Sequence, residues 1–573
     1  MQPRDDHQEG ATSILAALGT TLVLLAATLA IDLGSTVLTQ RDLQGAVDLA
    51  ALDAVMALPV ATDPAALADE YARQSLERNS GWSARDGRSV TVTVGTYDQV
   101  TRVFTPGAVG GDAVLVEATT DASRLTGVLP GTDRVTRSAV AMLDGQGAVS
   151  IGTAVASIDS DRSVVLNRLL SRLFGRSSDL SLDVAGYQGL ASGTVSLRQL
   201  AADLGLASPE ELTDTTVSVG NLFSAAATGL SASGDPLDLS AATPMSTLAA
   251  EVGTNQQVRL GDVLDLEAGR PGAVADLEVA ALDLVSVVAQ VVNGDNVVDL
   301  GLPIAVPGVG SGTLTLAVLE PPQIAAGRAG IDPVTGAWRT VATTAQVRLA
   351  VDLTLAAVSL PGLTVSAIDL PVTVDAARGD APLESVTCST AGANPHAVLP
   401  VATSAVTTTV GQLPTDLVGT SAPVPAVPVD LASVQLTLPL LGSLDLGSLT
   451  AVAQHDVAGA TETLSFTGPY AESQRTAGAS SLGGTPRVPG SGGSGRVGLA
   501  AALDTATLGV TLLTAGVDLQ TDVLDPVLDA TTPVLDEVDR RVVGPVLESL
   551  GVSLGRADVT VSSVDCAGRW LVR

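Results

Sequence analysis

GATSILAALGTTLVLLAATLAI (Gly10–Ile31) is followed by DLGSTVLTQRDLQGAVDLAALDAVMAL (Asp32–Leu58). The first run holds 22 residues without a charge. At about 1.5 Å per residue a helix of that length crosses the roughly 30 Å hydrocarbon core of a bilayer. It is the one run in the sequence long enough to do so. A cleaved signal would have a shorter apolar region and a small-x-small site, and Thr28-Leu29-Ala30 is a poor one. The run reads as an uncleaved anchor at residues 10–31. A short polar tail (1–9) precedes it, with Arg4 as its one basic residue. Orientation therefore rests on the short tail and on the nature of the chain beyond the span.

The rest of the 573 residues must be read from where this segment places them. Aromatics are 2% of the chain, so any core is built from Leu, Val, Ala and Ile shared over many elements. Gly (58) and Pro (30) imply frequent turns. Net charge is −32, and every basic residue is Arg. An acidic surface repels phosphate backbones, so no nucleic-acid partner is expected. The two cysteines, Cys388 and Cys566, end the similar segments LESVTC and VSSVDC. In a reducing compartment they would be buried thiols. Outside the membrane a Cys388–Cys566 disulfide is the expected state.

Past the anchor, Ala46, Ala50 and Ala54 stand four apart, a small-residue face that lets another helix approach closely. Pro59 marks the end. A second helix is expected over 65–79, with Asp63 as cap and Pro64 at its first position. The segment resembles the N-terminal region of TadE/TadG-like proteins of the tight-adherence (Flp) pilus assembly system. Gly10 opens the apolar span and Asp32 follows its end. Then comes Arg41-Asp42-Leu43-Gln44-Gly45-Ala46-Val47-Asp48-Leu49-Ala50-Ala51-Leu52-Asp53-Ala54. The resemblance covers about residues 1–58 and extends more weakly to 145. The chain departs from the family in having Glu9, rather than a basic cluster, before the glycine. The resemblance implies a single-pass membrane protein with no catalytic role. Its partners would be the lipid bilayer and other pilus-assembly membrane proteins. Gly10, Asp32, Leu43, Gln44, Ala46, Asp48, Ala50, Ala51 and Ala54 would carry membrane insertion and helix packing.

After Trp82 the period changes to two. SVTVTVG (Ser89–Gly95), AVLVEA (Ala113–Ala118) and VTRSAVAML (Val135–Leu143) read as strands of a small module at 81–145. From Gln146 a β-rich body with interspersed helices is expected up to 472. Asp161–Phe174 is amphipathic, with Val164, Val165, Leu166, Leu169, Leu170 and Leu173 on one side. Ser208-Pro209 and Thr243-Pro244 read as helix starts, and Gly253 as a helix end. The pattern V-x-[LV]-x-polar-[LV] recurs at Val195, Val217 and Val258, each reading as a short strand turning into a helix. Leu277–Val292 reads as a helix. Val347, Leu349, Val351, Leu353 and Leu355 face a core, with Arg348, Ala350, Asp352 and Thr354 outward. Residues 473–498 are a Gly/Ser-rich flexible loop. Residues 499–573 hold short helices interrupted at Pro526, Pro533 and Pro545, then a strand over 557–564 that docks back on the body.

No catalytic, cofactor or metal signature emerges. His396 follows Cys388 by eight residues, but nothing resembles a nucleophile elbow. There is no CxxC or HExxH. Asp159-Ser160-Asp161-Arg162-Ser163 differs from a D-x-S-x-S cation motif and reads as a helix cap. Gly308-Val309-Gly310-Ser311-Gly312 lacks the lysine of a phosphate loop. The expected architecture is α+β: a transmembrane helix with a helical stalk (32–80), a small membrane-proximal sheet, and a large β-rich extracytoplasmic region. The expected role is a structural component of a Tad/Flp-type pilus assembly or secretion apparatus in the plasma membrane. The alternatives are a surface adhesin or hydrophobic-ligand-binding envelope protein, and an envelope hydrolase using Cys388 or His396.

Overall fold

The structure is a computed structural model. It describes all residues except 1–6, 59–62, 81–87, 99–100, 108–110, 122–133, 153–159, 267–276, 295–296, 302–305, 333, 361–362, 388–394, 415–416, 439–441, 460, 468–481, 485–498, 505–506, 511–524, 551–557 and 573. The expected flexible loop lies almost wholly outside the described residues. The chain forms two compact units. The N-terminal unit holds residues 1–145, 387–394 and 566–573, and the body holds 146–386 and 395–565.

In the N-terminal unit the expected span and stalk are one unbroken helix, α1 (His7–Val55). Its 49 residues make it about 74 Å long. It ends before Pro59 in a turn, where the amides of Met56, Ala57 and Leu58 reach back to Asp53, Ala54 and Val55. Helix α2 (Pro64–Ser80) starts as expected, with the Ala66 amide donating to the Asp63 carboxylate at 3.2 Å. The strands β1 (Ser89–Asp98), β2 (Val103–Pro106), β3 (Ala113–Asp121) and β4 (Arg134–Gly152) pair antiparallel in the order β2-β1-β3-β4. Val114, Val116 and Ala118 alternate inward on β3, the half-buried period the sequence carries.

The body begins with a helical segment: α3 (Ser160–Leu173), α4 (Val184–Ser192), β5 (Thr194–Ser196), α5 (Leu197–Asp203), β6 (Thr216–Ser218), α6 (Val219–Ala232), α7 (Pro236–Val252), β7 (Gln257–Arg259), β8 (Leu264–Leu266), β9 (Glu278–Ala280) and α8 (Ala281–Asn293). The recurring pattern is what it reads as. β5 runs straight into α5, β6 into α6, and β7 into a 3-10 turn. Ser196 and Ser218 cap the two helices, accepting from the Gln199 and Asn221 amides. β9 feeds α8 in the same way, so the expected helix at 277–292 begins as a strand. β5 pairs with β9 and β6 with β7. On α3 the buried set is Leu166, Leu169, Leu170 and Leu173, while Val164 is exposed. The Ser208-Pro209 start opens a 3-10 turn, not an α-helix. Three of the chain's eleven aromatics lie here: Phe174 and Phe223 meet edge to face at 6.0 Å, and Tyr187 is fully buried.

Pro244 does not open a helix. It lies inside α7, which starts at Pro236 under an Asp235 cap and ends at Gly253 (φ 72°). Proline has no amide to give the Ser240 carbonyl one turn back. Gly189 of α4 presses against that carbonyl, and a Cβ at Gly189 would stand 2.4 Å from its oxygen. Gly189→Ala should therefore destabilise the body by about 1–3 kcal/mol, read as a lower urea midpoint with an unchanged slope.

The large sheet runs in the order Val297–Asp299, Val309–Glu320, Gln346–Leu355, Ile368–Ala376, Val406–Val410, Gly442–Val457, Val429–Leu438, Leu363–Val365, Val358–Leu360. The glycines at 310 and 312 lie within a strand, not a phosphate loop. Val347, Leu349, Val351, Leu353 and Leu355 are buried in one core with the helical segment. These aliphatic faces are thus used in packing. Arg348 departs from the expected outward face: it is 2% exposed. Its guanidinium pairs with Asp375 on the neighbouring strand and donates to the carbonyls of Leu417 (2.6 Å) and Ala422 (2.7 Å). The connection between the strands Val406–Val410 and Val429–Leu438 covers that end of the sheet.

A smaller sheet orders Val341–Thr343, Asp380–Pro382, His396–Ala402 and Ser385–Thr387, with Thr461–Thr467 also on His396–Ala402. It has its own core around Leu383, Leu399 and Phe466. Towards the C-terminus, Pro533 lies inside the helix Asp525–Val538 and does not break it. A π-turn (Asp539–Val543) joins it to Gly544–Ser549. The last strand, Asp558–Val572, is longer than expected, and residues from Cys566 onward belong to the N-terminal unit.

Candidate helix interface of the N-terminal unit

The residues of α1 sort into two faces. The inward face starts at Thr28 and Asp32 and continues through Ser35, Thr36 and Thr39 to Leu43, Ala46, Val47, Ala50, Ala51, Ala54 and Val55. Asp32 is 2% exposed although most of the helix around it is open. Its carbonyl accepts from Ser35 Oγ (3.0 Å) and Thr36 Oγ1 (2.8 Å). Ala50, Ala51, Ala54 and Val55 are wholly buried. The facing elements are α2, through Ala68, Ala72 and Leu76, and the inward side of β3. The alanine face expected to meet partner helices is thus occupied by this chain. Small side chains let the helix sit close to its own sheet.

The polar residues of the segment tie α1 down. Gln44 donates to Asp48 at 2.6 Å and to the Ser138 carbonyl on β4 at 3.2 Å. Gly10 lies in the first turns of α1. Asp53 is the residue the sequence reading passed over. Its carboxylate takes Arg78 from α2 at 3.2 Å and Arg569 from the C-terminal strand at 3.4 Å. Arg569 also donates to the Leu52 carbonyl at the last turn of α1, where a cation is favoured. Arg569 lies 516 residues away in sequence, so no local signal could pair it with Asp53. Asp112, at the start of the β3 segment, has its pKa raised by desolvation, against the Tyr97 amide hydrogen bond that lowers it.

The opposite face is open. Gly34, Leu38, Arg41, Gly45 and Leu49 follow one another three or four residues apart and are exposed. Among the described residues, a Cβ at Gly34 or Gly45 would meet no atom within 4 Å, and the same holds for Gly19. The apolar window of α1 carries exposed Ile14, Leu15, Leu18, Leu22, Leu25 and Leu29, with none of it buried. It is the one helix among the described residues that is long and apolar enough to cross a membrane.

Elsewhere, the residues weighed for chemistry do not converge. His396 Nδ1 lies 2.9 Å from Thr467 Oγ1 in a strand pair, and His455 sits in another sheet. Cys566 is half-buried and disulfide-bonded, and Cys388 lies outside the described residues. Asp159 lies outside them too, and α3 begins at Ser160. Among the described residues no cluster of three or more His, Cys, Asp or Glu side chains is arranged to hold a metal.

Two segments match family models. Residues 162–290, the helical segment of the body, match a domain of unknown function (DUF8293). Residues 10–57 match the family described as putative Flp pilus-assembly TadE/G-like. No curated protein and no solved structure matches the chain. Over the length of α1 and the turn that ends it, the chain is similar to the TadE/G-like pilus-assembly family.

Proposed function

We propose that the protein is a single-pass, membrane-anchored structural component of a Tad/Flp-type pilus assembly or secretion apparatus, with its body on the extracytoplasmic side. α1 lies in the plasma membrane over its apolar window and meets helices of other pilus-assembly membrane proteins there and just beyond. The observation that carries this reading is the open glycine face. Glycine inside a helix costs about 1 kcal/mol relative to alanine. Among the described residues, Gly19, Gly34 and Gly45 touch nothing that would require the lack of a side chain. A second helix approaching closely would require it. The partner face is therefore Gly34–Leu38–Gly45, not Ala46–Ala50–Ala54. A Cys388–Cys566 bond, closing the C-terminal strand onto the anchored unit, fits an oxidising compartment.

Gly34→Leu and Gly45→Leu should leave the fold intact and lower recovery of co-expressed pilus-assembly proteins about tenfold or more in pull-downs from detergent-solubilised membranes. Undiminished recovery with both variants would refute the interface. The same preparations report on the disulfide: peptide mapping without reductant should yield the Cys388 and Cys566 peptides joined.

A further inference from the structure

The helical segment of the body holds a cleft that the assembly role does not use. It has a volume of about 710 Å³ and opens between the end of α5, β6, α6 and the chain at Thr254–Gln257. Its walls are fixed by backbone bonds. The Gly220 amide donates to the Gly253 carbonyl at 2.8 Å and the Val219 amide to the Gln256 carbonyl at 3.0 Å. β6 and β7 pair across three residues. The Ser218 hydroxyl caps α6 through the Asn221 amide. A site held by such walls is formed before any ligand arrives.

The lining is mostly polar, with Asp203 as its one charged side chain among the described residues. Asp203, Asn221 and Gln257 bring three planar polar groups. Serine and threonine hydroxyls stand between them, and Leu204, Val217 and Ala225 give a small apolar patch. Asp203 Oδ1 accepts from Gln199 at 2.9 Å, and Oδ2 has no hydrogen-bond partner among the described residues. The side-chain amides of Asn221 and Gln257 have none there either. Ser224 and Thr228 donate to helix carbonyls and keep their oxygen lone pairs as acceptors. Among the described residues no cationic side chain lines the cleft, so a phosphate or carboxylate group would face Asp203 unpaired. A single carboxylate is too little charge for a divalent cation. The apolar patch is too small for a lipid tail.

A neutral polyhydroxylated ligand meets each requirement. Planar carboxylate and amide groups offer two hydrogen-bonding positions each, which match neighbouring hydroxyls on a sugar ring. The ring's C–H face covers the apolar patch. The chain's net charge of −32 favours a neutral glycan over an anionic one. We propose that this cleft is a binding site for a neutral oligosaccharide, with Asp203, Asn221 and Gln257 as its polar contacts. An open cleft without aromatic stacking binds weakly, with a Kd on the order of 1 mM for a short chain.

The test is saturation-transfer NMR on the full chain in detergent micelles, with maltotriose, mannotriose and triacetylchitotriose as probes. At least one should bind. The double variant Asn221→Ala/Gln257→Ala should weaken that binding at least tenfold, with an unchanged thermal midpoint. Ser224→Leu, which places a side chain in the cleft, should abolish the signal. Absence of binding by all three probes overturns the proposal. So does binding that survives undiminished in both variants. Neither result bears on the anchor helix, because the cleft lies wholly within the body.

Discussion

Arg348→Met should destabilise the body by about 3–5 kcal/mol, the cost of removing one partner from a buried ion pair. The guanidinium makes four hydrogen bonds: two to Asp375 on the adjacent strand, and one each to the Leu417 and Ala422 carbonyls. Methionine fills the space of the stem but makes none of them. Asp375 is left beside the sheet without its cation, and two carbonyls of the covering connection lose their donor. What then still ties the connection to the body, among the described residues, includes the Gly411 amide on the Pro371 carbonyl and the buried Val424 side chain. Besides a lower urea midpoint, the connection should become the first site of proteolytic cleavage, between Gly411 and Pro428. Arg348→Met combined with Asp375→Leu should recover part of the loss, because replacing both members of a buried pair removes the unpaired charge. An unchanged midpoint in the single variant would show that the pair contributes nothing net.

The same residue marks where the sequence stops being informative. The alternation over 346–355 was fully legible, and its aliphatic members are all core. Alternation also assigns Arg348 to solvent. What buries it is a connection 69 and 74 residues further on, and no periodicity encodes that cover. The strand-to-helix pattern at Val195 and Val217 was legible because it is local: a short extended segment, a hydroxyl cap, then an apolar helix face; at Val258 the cap position is Arg259 and only a 3-10 turn follows. Pro244 misled for a related reason. Proline favours the first turn of a helix, yet Asp235-Pro236 is an equally good start and lies upstream. The interior proline is tolerated where Gly189 comes up against the freed carbonyl. The long apolar window of α1 was readable from length and charge alone. Which of its small-residue faces stays open was not. Ala46, Ala50 and Ala54 on one side and Gly34 and Gly45 on the other are both small-residue faces, and sequence does not say which one the chain covers itself.

That ambiguity is resolved by two substitutions five residues apart on one helix. Ala50→Glu should destabilise the N-terminal unit by about 3 kcal/mol or more, since Ala50 is wholly buried and the new carboxylate would have no cation beside it. Arg78 and Arg569 of the same unit are already engaged at Asp53. Gly45→Glu puts the same side chain where nothing lies within 4 Å, so the fold should change by no more than about 0.5 kcal/mol. Hydrogen exchange on the full chain in micelles separates the outcomes. With Ala50→Glu, protection should fall across α2, β1 and β3 together, because these elements share the core that Ala50 enters. With Gly45→Glu, exchange should match the parent while pull-down of pilus-assembly partners falls, since a carboxylate on the open face keeps a neighbouring helix away. If both variants exchanged like the parent, the buried face would carry no stability of its own. If Gly45→Glu kept full partner recovery, the open face would not be where α1 meets other helices.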